Sequence, residues 1–331
     1  MLEKATHKPA PLPQDLAPQL MVVVDTEEEF DWARPFSRAQ TGVCAMAAQH
    51  RAHDIFSSYG IKPLYVVDYA VADQPAGYGP LKDLLDDGLC DIGAHLHPWV
   101  TPPHDEEVNT KNSYPGNLPV ALEAEKLRRL TERITQTLGV RPTCYRAGRY
   151  GVGPNTTRAL IENGYEIDLS VVPKSCFGAD GGPDFSALGI EPYWFGPGGA
   201  LLEIPLSVEF TGLLSPWGAR LHSLITAAER ARLPGLMARA GLLNRIRLSP
   251  EGIPLAEQCA LTRALLRRGV RLFVLSYHSP SLAPGHTPYV RDDSGLARFL
   301  GTIAGYCDFF FNDIGGQATT APAIRALLKA A

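Results

Sequence analysis

Short apolar runs alternate along this chain with longer segments in which apolar residues recur every three or four positions. The runs at 20–25, 61–67, 90–95, 143–146, 166–170, 201–206, 270–276 and 307–311 predict strands, and the segments 41–59, 80–87, 121–138, 155–163 and 254–268 predict helices. A glycine (Gly60, Gly88, Gly139, Gly164 or Gly269) follows each of these helices directly, as expected where a left-handed residue ends a helix. Regular strand–helix alternation predicts an α/β protein with a parallel sheet. Seven or eight such units suit a (β/α) barrel of about seven strands, with a doubly wound open sheet as the competing topology.

Four stretches depart from this rhythm. Residues 1–18 read as a Pro-rich lead-in to a single domain over 19–331. Segments 98–119 and 173–200 are too rich in Pro, Gly and polar residues to be regular, and long irregular loops inside a domain tend to carry function. Residues 211–253 read as an inserted helical pair carrying Arg220, Arg230, Arg232, Arg239, Arg245 and Arg247 against few acids. That insertion is expected to be a solvated face or, in the sharper reading, a contact for a pyrophosphate or a peripheral membrane surface.

Composition narrows the class. A net charge of −4 over 331 residues lacks the basic excess of a nucleic-acid binder. The six cysteines form no C-x-x-C pair, so a thiolate metal site or redox dithiol is not expected and a reducing, cytoplasmic setting is. The N-terminal residues contain no apolar signal region, and no apolar stretch approaches the roughly 20 residues that span a bilayer.

Two pairs of potential metal ligands close apolar runs at matched spacing: Asp25-Thr26-Glu27 and His95-Leu96-His97. Residues i and i+2 of an extended chain share a face, so each pair can present two ligands side by side. Carboxylate and imidazole donors converging from two strand ends make a site for a divalent metal. Glu29 is the same-face rival of Glu27. Arg146 and His278 also end predicted strands, and parallel α/β folds place their active sites at that end. Trp99, Tyr114 and Tyr150 read equally as aromatics that stack on a ligand ring or as core or loop packing.

The segments VVVDTEEEFDW, DIGAHLHPW, YRAGRYG, EIPLS and VLSYHSP resemble, in order, the motifs of NodB-type polysaccharide deacetylases, closest to the branch found in lipopolysaccharide and exopolysaccharide clusters. The resemblance spans about residues 20–315. It implies a distorted (β/α) barrel that hydrolyses N-acetyl groups of amino sugars with a divalent metal, often zinc. It further implies Asp25 as catalytic base, Glu27 and His95 as metal ligands, Arg146 as the arginine that holds the base and His278 as general acid. The sequence departs from the family pattern at two places. Trp99 stands four residues after His95 where a second histidine is usual, so His97 must substitute, and the motif Arg146–Tyr150 carries one extra residue and no proline. Two other functions remain in view: hydrolysis of a small or cyclic amide without metal, and a catalytically degenerate glycan-binding protein.

Overall fold

In chain order the strands are β1 (Lys8–Pro9), β2 (Gln19–Thr26), β3 (Leu64–Val67), β4 (Asp91–Leu96), β5 (Cys144–Ala147), β6 (Ile167–Asp168), β7 (Tyr193–Phe195), β8 (Leu201–Glu203), β9 (Val208–Thr211), β10 (Asn244–Arg247), β11 (Leu272–His278) and β12 (Gln317–Ala318). They are seen in a computed structural model that describes residues 3–218, 221, 236–237 and 240–330. Seven strands run parallel in the spatial order β8-β6-β5-β4-β3-β2-β11, and helices cross over between most of them, as the alternating pattern predicts. The five glycines after the predicted helices all have positive φ, between 66° and 85°.

Alternation along the strands separates two apolar layers. Leu20, Val22 and Val24 of β2 join the large cluster under the surrounding helices, whereas Met21 and Val23 join a second cluster with Val66, Cys144, Ile167, Leu202 and Val274. The second set comes from the inward faces of all the parallel strands except β4, so it fills the barrel interior. Ala10 and Leu12 of the lead-in and the helix Ala321–Ala330 close its lower end. Gly93 lies in this interior because a Cβ there would come within 2.9 Å of the Cys144 carbonyl and of Val66.

The β ladder does not continue from β8 to β11. The chain leaving β8 crosses the gap instead: Leu248 N–H donates to Ser207 O (2.8 Å), Ser276 N–H donates to Leu248 O (3.2 Å), and Val274 N–H donates to the Ser207 hydroxyl (2.9 Å). This irregular seam is what distorts the barrel, and Ser207 is the last residue of the EIPLS motif.

Three expectations need correction. Residues 307–311 are helical, lying in the helix Asp293–Asp308 and the π-turn Phe309–Asp313. The aromatic run there favours a strand by propensity, but Leu296, Phe299, Ile303, Tyr306 and Phe310 recur at helical spacing and are all buried. The segment 41–59 is helical only over His50–Ser58, after a 3-10 turn at Cys44–Ala48. At 211–253 the ends form an antiparallel hairpin of β9 with β10, while Arg220, Arg230, Arg232 and Arg239 lie outside the described residues. Among the described residues, no helix is long and apolar enough to cross a membrane.

Candidate active site

The inward face that carries Met21 and Val23 continues through Asp25 to Glu27. On β4 it continues through Gly93 and His95 to His97, on β5 through Cys144 to Arg146, and on β11 through Val274 and Ser276 to His278. Strand register sets these ends at one level, with Asp25 opposite His278 and His95 opposite Arg146. The sequence-predicted residues therefore meet on top of the apolar interior, at the C-terminal ends of the strands.

Glu27, His95 and His97 are all buried, and their ligand atoms lie within 4.8 Å of one another. Glu27 Oε2 is 3.4 Å from Nε2 of each histidine. The other ring nitrogens are held: His95 Nδ1 lies 3.0 Å from the Arg146 carbonyl, and His97 Nδ1 lies 2.8 Å from Glu28 Oε2. Acceptors at both Nδ1 atoms fix the tautomer that leaves each Nε2 lone pair free, a support common to metal-ligating histidines. Burial pushes the His95 pKa down to about 3 and that of His97 to about 4, so both are neutral donors. Burial, together with Glu28, Asp25, Asp68 and Glu251, drives the Glu27 carboxyl well above its ordinary range, and its Oε1 is buried without a hydrogen-bond partner. A carboxylate in that setting fits a bound cation, which supplies the missing charge and the missing partner. Glu29, the same-face rival, turns away to accept from the Ala45 N–H and lies 3.5 Å from His286.

Asp25 is held from one side by Arg146. The Arg146 Nη1 donates to Asp25 Oδ1 and to the Ser276 hydroxyl (2.7 Å), and its Nε donates to the Leu169 carbonyl (3.0 Å). Burial alone would raise the Asp25 pKa, but Arg146, His95 and His278 outweigh it and hold the carboxyl below its ordinary value. His278 shows the reverse balance. Burial would lower its pKa, but Glu251 and Asp25 raise it. Its Nδ1 is 2.8 Å from Glu251 Oε2, and Glu251 is fixed in turn by the Ser281 hydroxyl and the His278 N–H.

A cavity of about 320 Å³ opens above these groups. Tyr150 lines it, with its hydroxyl accepting from Arg247 Nη1 at 3.1 Å. Arg149 (φ 52°) and Tyr150 (φ 60°) are two successive left-handed residues, and both side chains line the cavity. Trp99 and Tyr114 also line the cavity, but each is only 1% exposed and is packed against its neighbours. Trp99 stacks on His97 at 4.2 Å and donates to Glu28, while Tyr114 lies under the Arg149 guanidinium at 4.1 Å. The accessible aromatics at the cavity are instead Trp32 and Tyr289, 39% and 38% exposed, with Trp32 edge-on to His278. Lys126 secures the loop after His97 by donating to the carbonyls of Pro98, Thr101 and Pro103.

Sequence reasoning missed Glu28 and Glu251. Glu28 sits in an acidic run and Glu251 in the presumed helical insertion, and neither carries a spacing signal. Their roles depend on contacts 69 and 27 residues away.

Fold and site together make a distorted (β/α) barrel with a buried, metal-ready centre at its C-terminal rim. The sequence matches no protein-family profile and no curated protein. Among solved structures, a protein described as a polysaccharide deacetylase from Mycobacterium smegmatis is similar, with a TM-score of 0.54 and 17% identity over 98% of this chain and 94% of that one. A peptidoglycan N-acetylglucosamine deacetylase gives a TM-score of 0.47 and 10% identity over 94% of this chain and 89% of that one. The 4-alpha-glucanotransferase of Thermococcus litoralis gives 0.49 and 13% over 94% of this chain but 40% of that one. At such identities the likeness is one of fold.

Proposed function

We propose that this protein is a metal-dependent hydrolase that removes N-acetyl groups from an amino-sugar glycan or glycan precursor. The observation that carries this reading is the position of Asp25, ionised by Arg146 and set between the Glu27, His95 and His97 cluster and His278. A divalent cation held by those three residues, zinc by the donor set, would supply Lewis acidity that polarises the acetyl carbonyl and acidifies water. Asp25 takes the proton of the attacking water as its oxygen bonds to the acetyl carbon. The C–N bond then breaks as His278 delivers its proton to nitrogen, leaving acetate and a free amine. Tyr150, Trp32 and Tyr289 offer apolar surface for the sugar at the mouth.

The similarity of fold to the M. smegmatis protein agrees with this chemistry. The metal-independent reading leaves Glu27 buried among carboxylates with an oxygen unpartnered. The binding-only reading gives no reason to oppose a carboxyl whose pKa is held down to an imidazole whose pKa is held up. Acetate release from N-acetylated chito-oligosaccharides by the metal-loaded protein tests the proposal. Asp25→Asn should lower the rate by about 10²-fold or more while metal stays bound, and unchanged turnover in that variant would contradict it.

A further inference from the structure

Arg245 and Arg247 project from the same side of β10, with Ile246 between them turned into the core. Arg247 lines the cavity, where it donates to Tyr150 and lies 3.7 Å from Glu251. Arg245 is differently placed. Its Nη2 donates to the Ser175 hydroxyl, its Nε is buried without an acceptor, and no carboxylate among the described residues pairs with it. Burial and the charge of Arg247 pull its pKa down to about 10.

A guanidinium kept half-buried beside another, with a donor unused, is unfavourable unless something else supplies negative charge. The carboxylates around β10 are engaged elsewhere: Glu209 with Arg268, Glu251 with His278 and Arg247, and Glu257 with Asn244. Residues 212–243, which join β9 to β10, contain four arginines and a single acid, Glu229. Ser175, which holds Arg245, is two residues from Phe177 on the cavity wall. Arg247 lines the cavity and Arg245 follows two residues away on the same face of β10, and a planar guanidinium presents paired N–H donors that match two oxygens of one anionic group.

We propose that Arg245 and Arg247 form an anion subsite beside the hydrolytic centre, which takes a phosphate or carboxylate group carried by the N-acetylated sugar. This rests on the deacetylase reading and narrows its substrate to charged amino sugars.

Calorimetric binding of N-acetylglucosamine 1-phosphate, N-acetylmuramic acid and neutral N-acetylglucosamine to the metal-loaded protein tests it, with acetate release followed in parallel. The wild type should bind one of the anionic sugars about tenfold or more tighter than the neutral one, and the preferred probe identifies phosphate or carboxylate. Arg245→Gln should lose that preference while its affinity for the neutral sugar is unchanged. Equal affinity of the wild type for all three probes would overturn the subsite without needing any variant to fold, as would an undiminished preference in a folded Arg245→Gln. Anion preference without acetate release from any sugar would instead count against the deacetylase reading and leave the subsite standing.

Discussion

His278 Nε2 lies 3.8 Å from Asp25 Oδ2, across the register pair that joins β11 to β2. The two groups are biased in opposite directions. Burial would raise the Asp25 pKa, but Arg146 reverses this; burial would lower that of His278, but Glu251 reverses that. An ionised base and a protonated acid therefore coexist in one pH window, the division of labour that hydrolysis of an amide requires.

Removing Glu251 should narrow that window from its basic side. As the proposed general acid, His278 must be protonated, so turnover should persist up to its native pKa and fall as pH rises through it. Its pKa is raised by Glu251, so in Glu251→Gln the basic limb of the kcat/KM profile should move to lower pH, with a loss of about 10-fold to 100-fold at neutral pH. A pH–rate profile of the two proteins checks the direction of the shift.

Arg146 should matter as much to folding as to chemistry. It is fully buried and is the cation against Asp25, so Arg146→Leu leaves a buried carboxylate uncompensated. Chemical denaturation should show a loss of about 3–5 kcal/mol. Asp25→Asn in the same background should recover part of it, because the two residues are in contact and their effects are not additive.

Gly148 should prove intolerant of a single methyl group. A Cβ there would lie 2.4 Å from the Leu96 carbonyl and 2.5 Å from His97 Cδ2, so the clash falls directly on His97. Gly148→Ala should cost about 1–3 kcal/mol through overpacking and weaken metal binding, measured by thermal unfolding and by chelator competition.

Much of this site was legible in the sequence because it follows from periodicity. Asp25, His95, Arg146 and His278 all end predicted strands, and the inward side of each strand could be read two residues at a time. The two H-x-H histidines converge because β4 continues its alternation to His97. What stayed hidden lies between elements. Glu28 supports His97 through a bend after β2 that no pattern encodes, and Glu251 reaches His278 from a segment whose ends pair as a hairpin. The burial of Trp99 and Tyr114 was equally invisible, since an aromatic beside a ligand reads the same whether it faces a sugar or the core. The run 307–311 failed for another reason: aromatic propensity outweighed a helical period that needs the preceding turns, back to Leu296, to be seen.

Glu27, His95 and His97 are proposed to hold a catalytic metal, with Glu28 as the support of His97. Glu28 accepts from His97 Nδ1 with one oxygen and from Trp99 Nε1 with the other, so glutamine at 28 would set an amide N–H against one of these donors. The most direct measurement is zinc stoichiometry and affinity by chelator competition for wild type, Glu27→Gln and Glu28→Gln. The account predicts one zinc per chain in the wild type, its loss in Glu27→Gln, and about 10-fold to 100-fold weaker binding in Glu28→Gln. A wild-type protein that hydrolyses N-acetyl sugars yet binds no divalent metal, or holds it as tightly without Glu27, would contradict it.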